Sequence, residues 1–179
     1  MKDVLVKKYP KWRELNDALR PLALDMAGKI PDFRLQKKPD LDSSVWADRH
    51  QYFPLESSWH SRDDLYTHDA LRPLCDFIKS MDPLGLDFTS MRIKVASQGN
   101  AGSKLRHRGI VSGVYYVDVG HLNGEDLTGK INFYPYPTGD KYTVKPSNGD
   151  IIIFPSLIQH DVDEYCGTRA RINISWNMQ

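Results

Sequence analysis

The chain is poor in the features that mark secreted and membrane-spanning proteins. It has two cysteines in 179 residues, and Cys75 and Cys166 form neither a metal-binding nor a disulfide pattern. No apolar run approaches the roughly 18 residues that a membrane span requires, and the first 20 residues lack the apolar core of a secretory signal. We therefore expect a cytoplasmic protein with reduced thiols and no membrane partner.

An excess of charge of one sign is also missing. The formal net charge is +1 at pH 7, and no block of five like charges occurs. Because nucleic-acid binding needs a clustered basic surface, we expect no nucleic-acid partner. A small-molecule or peptide substrate is compatible with this balance. The length and the 40% hydrophobic content predict a single domain, residues 1–179.

The apolar pattern changes near residue 88. Before it, Trp12 to Leu22 and Leu71 to Met81 carry apolar residues at helical spacing. After it, short β-branched and aromatic runs are separated by Gly, Pro, Asn and Asp. The predicted strands are Met91–Ala96, Val111–Val119, Lys130–Tyr134, Ile151–Phe154 and Arg169–Trp176. This indicates a mainly β (α+β) protein, with a jelly-roll or sandwich core over 88–179 and helical, loop-rich support over 1–87.

The last predicted strand has two different faces. Alternation puts Ile172, Ile174 and Trp176 on an apolar face and the polar side chains on the other, namely Arg171, Asn173 and Ser175. A guanidinium can grip a carboxylate through two parallel hydrogen bonds, so the polar face suits a carboxylate held in the mouth of a barrel. A solvent-facing strand surface would give the same pattern.

Two histidines lie close to predicted strands. His160 follows the strand that stops at Phe154-Pro155-Ser156, and it precedes the Arg171 strand, so histidine and arginine are predicted on neighbouring strands. His107 lies in a basic loop just before the strand that begins near Ser112. Neutral imidazole is the commonest metal ligand in proteins. The ordinary alternative for each residue is a packed or solvated histidine.

Three stretches follow the order of one known family, and the spacing from His160 to Arg171 is also that of the family. They are Ser112-Gly113-Val114-Tyr115-Tyr116-Val117, Phe154-Pro155-Ser156 with His160, and Arg171-Ile172-Asn173-Ile174-Ser175-Trp176-Asn177. Over residues 91 to 179 the chain resembles the 2-oxoglutarate and Fe(II)-dependent oxygenases. The resemblance is strongest to a group of small bacterial and phage enzymes related to prolyl hydroxylases.

The resemblance implies a fold, cofactors and a set of site residues. The fold is a double-stranded β-helix, the cofactors are Fe(II) and 2-oxoglutarate, and molecular oxygen is the co-substrate. His107 and His160 would be the iron ligands. Arg171 and Tyr116 would bind the tail carboxylate of 2-oxoglutarate, and Asn173 and Ser175 would line the same pocket. We therefore expect a dioxygenase that hydroxylates an unidentified substrate.

The chain departs from the family at one metal ligand. The usual motif has a carboxylate two residues after the first histidine, whereas His107 is followed by Arg108 and Gly109. Some relatives have a second histidine two residues earlier, where this chain has Leu105. Asp118 or Asp161 could supply the carboxylate from elsewhere. Otherwise the site is a two-histidine iron centre, a halogenase-like centre with a halide ligand, or part of a non-catalytic jelly-roll binding module.

Two further points stay open. A cupin-type protein with another metal or a sugar ligand shares the predicted fold class. In the amino-terminal half, aromatic residues could wall a substrate pocket, although core packing is their ordinary role. These residues are Trp46, Tyr52, Phe53, Trp59 and His60.

Overall fold

The described part of the chain is built mainly from β-strands. A computed structural model describes residues 3–30, 32, 58–107, 109–121, 126–135 and 139–179. Its elements in chain order are β1 (Leu5–Lys8), α1 (Trp12–Lys29), β2 (Ser58–His60), the 3-10 turns Leu65–Thr67 and Asp69–Leu71, α2 (Arg72–Ser80), β3 (Phe88–Ala96), β4 (Asn100–Leu105), β5 (Val111–Asp118), β6 (Ile131–Tyr134), β7 (Tyr142–Val144), β8 (Asp150–Pro155), β9 (Gln159–Tyr165) and β10 (Arg171–Met178).

The strands form two sheets. The larger has the order β1-β8-β5-β10-β3-β2 and the smaller has the order β4-β9-β6-β7. All pairings between these strands are antiparallel. From β3 onward the chain passes repeatedly from one sheet to the other, which is the arrangement of a jelly roll. The predicted mainly β, double-stranded β-helix fold is confirmed.

The larger sheet packs its outer face against the helices. Ile172, Ile174 and Trp176 of β10 are at most 1% exposed and belong to a cluster with Leu19 of α1 and Leu74 of α2. The predicted apolar face of this strand is therefore confirmed. Burying side chains of this size contributes roughly 1.5–3 kcal/mol each, so the helices hold β10 in a fixed register.

A second apolar cluster lies between the two sheets. It includes Val114 and Tyr116 from β5, Phe133 from β6, and Ile152 and Phe154 from β8. These residues alternate along their strands with those of the helix-side cluster, as the two-residue period of a strand requires. The inner faces of both sheets thus form the lining of the barrel.

The sequence-based prediction missed three strands of the smaller sheet, β4, β7 and β9. β4 (Asn100–Leu105) and β9 (Gln159–Tyr165) carry too many polar residues to show a β pattern. The prediction that His160 and Arg171 lie on neighbouring strands was wrong in one respect. β9 and β10 are consecutive in the chain, but they belong to opposite sheets.

Helix α1 is fastened to the larger sheet by one buried polar side chain. Asn16 is 7% exposed, its Nδ2 donates to the carbonyl of Val117 at 2.7 Å, and its Oδ1 accepts from the Tyr115 hydroxyl at 2.6 Å. Burial raises the pKa of Tyr115, so this hydroxyl stays a donor.

Among the described residues, neither helix combines the length and apolar character that a bilayer crossing needs.

Replacing Asn16 should destabilise the fold. Asn16→Ala leaves the Tyr115 hydroxyl and the Val117 carbonyl buried without partners, which should lower the free energy of unfolding by about 2–4 kcal/mol. Urea denaturation measures this change. The control is Asp17→Ala, at an exposed position one residue along α1, which should change stability by no more than about 0.5 kcal/mol. Equal effects of the two substitutions would show that Asn16 does not anchor the helix.

Candidate functional site

His107 and His160 meet at one end of the barrel. Their Nε2 atoms are 3.2 Å apart and their ring centroids 4.9 Å apart. His160 lies on β9, and His107 follows β4, the strand paired with β9. Two nitrogens that bind one metal at about 2.1 Å in adjacent positions are about 3 Å apart. The histidine pair therefore fits two neighbouring positions around one metal ion.

His160 is prepared to act as a neutral ligand. Its Nδ1 lies 3.1 Å from the carbonyl oxygen of Ile158, and a carbonyl only accepts, so Nδ1 carries the proton. In the neutral ring Nε2 then presents a lone pair toward His107, which is the arrangement of histidine ligands whose other nitrogen is oriented by a carbonyl. The largest influence on the pKa of His160 is burial, which lowers it below its ordinary value. Phe154 and Phe133 flank the ring at centroid distances of 4.8 and 6.1 Å.

Arg171 is a buried cation with neutral partners. The residue is 3% exposed, Nη2 donates to the carbonyl of Gly129 at 2.8 Å, and the guanidinium lies 5.2 Å from the ring centroid of Tyr116. Within the described ranges no carboxylate forms an ion pair with it. Burying a charge is costly unless it is paired. This position is therefore suited to an anionic ligand, and a 2-oxoglutarate carboxylate fits it.

Gly129 allows the approach of Arg171. A Cβ at this position would lie 3.0 Å from Arg171 Nε, and the backbone has a φ of +72°, which L side chains rarely adopt. From sequence alone Gly129 indicates only a turn, so its contact with Arg171, 42 residues along the chain, was not predicted. Beside the same guanidinium, burial raises the pKa of Tyr116, although Arg171 opposes that shift. Tyr116 therefore stays a neutral phenol.

The polar face of β10 points into the barrel. Asn173 is 7% exposed, lies opposite Tyr116 on β5, and makes no side-chain hydrogen bond to any other described residue. Ser175 is half-buried and lies opposite Val114, which also belongs to the inner cluster. Arg171, Asn173 and Ser175 thus share one inward face, with hydrogen-bonding capacity that a bound molecule could use.

Gly109, the position of the expected carboxylate, has a backbone conformation that disfavours a side chain. Its φ of +123° disfavours any side chain, and the nearest atoms to a Cβ there would be the Met178 carbonyl oxygen, at 3.0 Å, and Ser156 Oγ. Leu105 is instead the Cα partner of His160 across the β4–β9 pair. Directly opposite residues project to the same face of a sheet. Leu105 is therefore a second position from which a side chain could project to the face of His160, and the gap at Gly109 stays a prediction.

The two aspartates considered as substitute ligands have other partners. Asp118 accepts from Arg20 Nε and from the Gly120 N–H, each at 2.8 Å. Asp161 follows His160 on β9, so it projects to the opposite face, where it accepts from Asn132 at 2.8 Å and Tyr134 at 2.9 Å. Within the described residues, no group of three or more His, Cys, Asp or Glu could hold a metal ion.

The aromatic residues considered as pocket walls are only partly described. Trp46, Tyr52 and Phe53 lie outside the described residues. Trp59 packs against the helix-side core, and its Nε1 donates to the Ile30 carbonyl at 2.9 Å. His60 lies opposite Lys94 across the β2–β3 pair. For Trp59, these contacts agree with the packing role.

Comparison with known proteins connects this geometry to one family. A model of the family described as putative 2OG-Fe(II) oxygenases matches residues 91–177. A Pseudomonas putida prolyl-4-hydroxylase has a TM-score of 0.69 at 17% identity over 99% of this chain and 93% of its own. A Trichoplax adhaerens prolyl hydroxylase, solved with a hypoxia inducible factor peptide fragment, has a TM-score of 0.67 at 11% identity over 99% and 84%.

A third similar structure is an epimerase. SnoN from nogalamycin biosynthesis, in complex with Fe3+, alpha ketoglutarate and nogalamycin RO, has a TM-score of 0.69 at 10% identity over 97% of this chain and 77% of its own. At such identities these likenesses show the fold alone. The search of curated proteins found no match.

Residues 91–177 match the family model of the 2-oxoglutarate and Fe(II)-dependent oxygenases, which confirms the resemblance inferred from the sequence. Members of this class are enzymes, and their cofactors are Fe(II) and 2-oxoglutarate. The observations that fit these cofactors here are the adjacent Nε2 atoms of His107 and His160 and the buried guanidinium of Arg171, which has no carboxylate partner among the described residues.

A histidine at position 105 should strengthen metal binding. Leu105→His adds an imidazole on the face of β4 that His160 shares, so Co(II) should bind roughly tenfold more tightly or better, a gain of about 1.4 kcal/mol. Anaerobic Co(II) titration followed by visible absorption measures the affinity and the coordination. The matched control is Arg106→His, at the exposed position just after the end of β4. Equal gains in both variants would contradict the deduced position.

Proposed function

We propose that the protein is an Fe(II) and 2-oxoglutarate-dependent hydroxylase with a two-histidine iron site, His107 and His160. When bound, iron and 2-oxoglutarate supply activation of molecular oxygen coupled to the conversion of 2-oxoglutarate to succinate. The observation that carries the proposal is Arg171, a cation 3% exposed with no carboxylate partner among the described residues. An anionic cosubstrate would provide the missing charge.

The proposed cosubstrate contacts follow from the inward face of β10. Arg171 would donate two parallel hydrogen bonds to the tail carboxylate, as guanidinium geometry allows. The hydroxyl group of Tyr116 would donate a hydrogen bond to the same carboxylate, because burial raises the pKa of Tyr116 and keeps the phenol neutral. Asn173 and Ser175 would contribute further hydrogen bonds. The flanking Phe154 and Phe133 rings would limit the access of water to His160.

The similar structures suggest two classes of substrate. The similar structures include one solved with a peptide fragment and one with nogalamycin RO, so either a peptide or a small molecule would fit this fold. The third protein ligand position would be taken by water. This proposal is supported by the hydrogen bonds of Asp118 and Asp161 to other residues and by the backbone conformation of Gly109.

Replacing Arg171 should weaken 2-oxoglutarate binding without unfolding the protein. Arg171→Ala removes a charge-assisted two-pronged contact, which should cost on the order of 1.5–3 kcal/mol of binding free energy. Calorimetry with 2-oxoglutarate and Mn(II) measures the loss. Without ligand, Arg171→Met should melt no lower than wild type, because it removes a buried charge that has no carboxylate partner among the described residues.

The matched control for Arg171 is Arg169→Ala. Arg169 is half-exposed and lies 3.7 Å from Asp118 rather than inside the barrel, so its loss should leave the affinity for 2-oxoglutarate unchanged. If Arg171→Ala bound 2-oxoglutarate as tightly as wild type, the cosubstrate site would have to lie elsewhere.

Both histidines should be needed for the iron centre. His107→Ala or His160→Ala should each abolish the weak visible absorption of an anaerobic complex with Fe(II) and 2-oxoglutarate, since a site with two protein ligands cannot lose one of them. Two controls should retain the band. His68→Ala removes a histidine that accepts from the Ala70 N–H, and Asp161→Asn keeps the shape of a candidate carboxylate. A retained band in either histidine variant, or a lost band in Asp161→Asn, would rule out the two-histidine site.

Two alternatives have separate signatures. A halogenase-like enzyme would place a halide in the open ligand position, and its products would depend on added chloride, whereas hydroxylation would not. A non-catalytic binding module would bind 2-oxoglutarate through Arg171 but release no succinate. Succinate release with and without chloride, together with product analysis, therefore distinguishes the three functions.

A further inference from the structure

Exposed apolar side chains are concentrated around the histidine pair. Seven large hydrophobic side chains are exposed in the described part of the chain, and three of them lie within three residues of His107 or His160. These three, Leu105, Ile110 and Leu157, are 38%, 50% and 74% exposed and are called the mouth patch below. Clustered exposed apolar side chains, unlike single ones, mark ligand or partner sites.

Backbone hydrogen bonds bring the segments of the mouth patch together. The N–H of His107 donates to the Ser156 carbonyl at 2.9 Å, and the N–H of Ser156 donates to the Ile110 carbonyl at 3.1 Å. Ile110 and the residue after Ser156 are therefore held beside His107.

The other two members follow from the turn and the sheet. The N–H of Ile158 donates to the Pro155 carbonyl at 3.0 Å, which closes a turn with Leu157 near its tip. Leu105 lies opposite His160 across the β4–β9 pair. The backbone that carries each of the three side chains thus lies beside His107 or His160.

The segments that carry the mouth patch contain no acidic residue. Residues 97–117 and 151–160 include no Asp or Glu, and Arg106, between Leu105 and His107, is exposed. A substrate that presents a cation to the iron would therefore find no carboxylate in these segments. An apolar group would find three exposed apolar side chains to cover.

We propose that the mouth patch is a substrate contact, and that the substrate presents an apolar aliphatic or aromatic group to the metal. This inference rests on the proposed function, because it takes the histidine pair as the metal site. Leu105, Ile110 and Leu157 are then specificity-determining residues, and the reacting C–H bond belongs to the apolar group they cover or to an atom beside it.

The test uses Mn(II) in place of iron, so that no turnover is needed. Protein loaded with Mn(II) and 2-oxoglutarate is mixed with N-acetyl-leucinamide or with N-acetyl-asparaginamide, which have nearly the same shape. Paramagnetic relaxation of the side-chain protons is measured by NMR. The leucine probe should relax several-fold faster than the asparagine probe. This preference should disappear in the double variant Ile110→Ser, Leu157→Ser and persist in Leu84→Ser, a control at an exposed leucine outside the mouth patch.

The possible results separate this inference from the proposed function. If the 2-oxoglutarate methylene protons relax but the two probes relax equally, the inference is wrong and the proposed function stands. If the 2-oxoglutarate protons are themselves unaffected, the metal site is wrong, and the inference fails with it. If sedimentation shows a dimer that the double variant dissociates, a second copy of the chain covers the mouth patch, and this too overturns the inference.

Discussion

The double pairing of β10 fixes both the core and the candidate site. β10 forms hydrogen-bonded ladders with β3 on one side and β5 on the other, so its register cannot shift alone. A slip of one residue would expose Ile174 and bury Arg171 against the helices. The burial of Ile172, Ile174 and Trp176 therefore also fixes the inward direction of Arg171. The packing of the helices on the outer face of the larger sheet thereby positions the polar side chains of β10 inside the barrel.

The histidine pair depends on the closure of the two sheets. His160 lies on β9 of the smaller sheet and His107 follows β4 of the same sheet, whereas Arg171 lies on β10 of the larger sheet, so the proposed site needs both sheets. A buried hydrogen-bond chain strengthens this connection. Ser156, whose carbonyl accepts from His107, lies with its Oγ 2.7 Å from Ser112 Oγ, and Ser112 donates to Asn177 Oδ1 at 2.7 Å. The position of His107 is thereby tied to β5 and β10.

Sequence predicted those parts of the structure whose two faces differ strongly in polarity. The alternation of β10 was predicted because Ile172 and Arg171 have such different preferences for burial. β9 escaped prediction because its outward residues Asp161 and Asp163 are satisfied by Asn132, a residue of β6. The contact of Gly129 with Arg171 was not predicted either, because the two residues are 42 positions apart in the chain. Such pairings arise from the tertiary fold, and no local pattern in the chain reports them.

Within the described residues, two positions bear on why the proposed histidine site has no third protein ligand. At Gly109 a carboxylate would require a side chain at a φ of +123°, so the backbone itself disfavours the usual ligand. At position 105 the backbone has no such constraint of its own, because Leu105 is the last residue of β4 and pairs with His160, with a register irregularity between Gly102 and Leu105. Leu105, however, also belongs to the mouth patch. A metal-binding side chain at this position would take away an apolar contact beside the histidine pair. In the proposed enzyme, tighter metal binding and contact with an apolar substrate would therefore compete for the same residue.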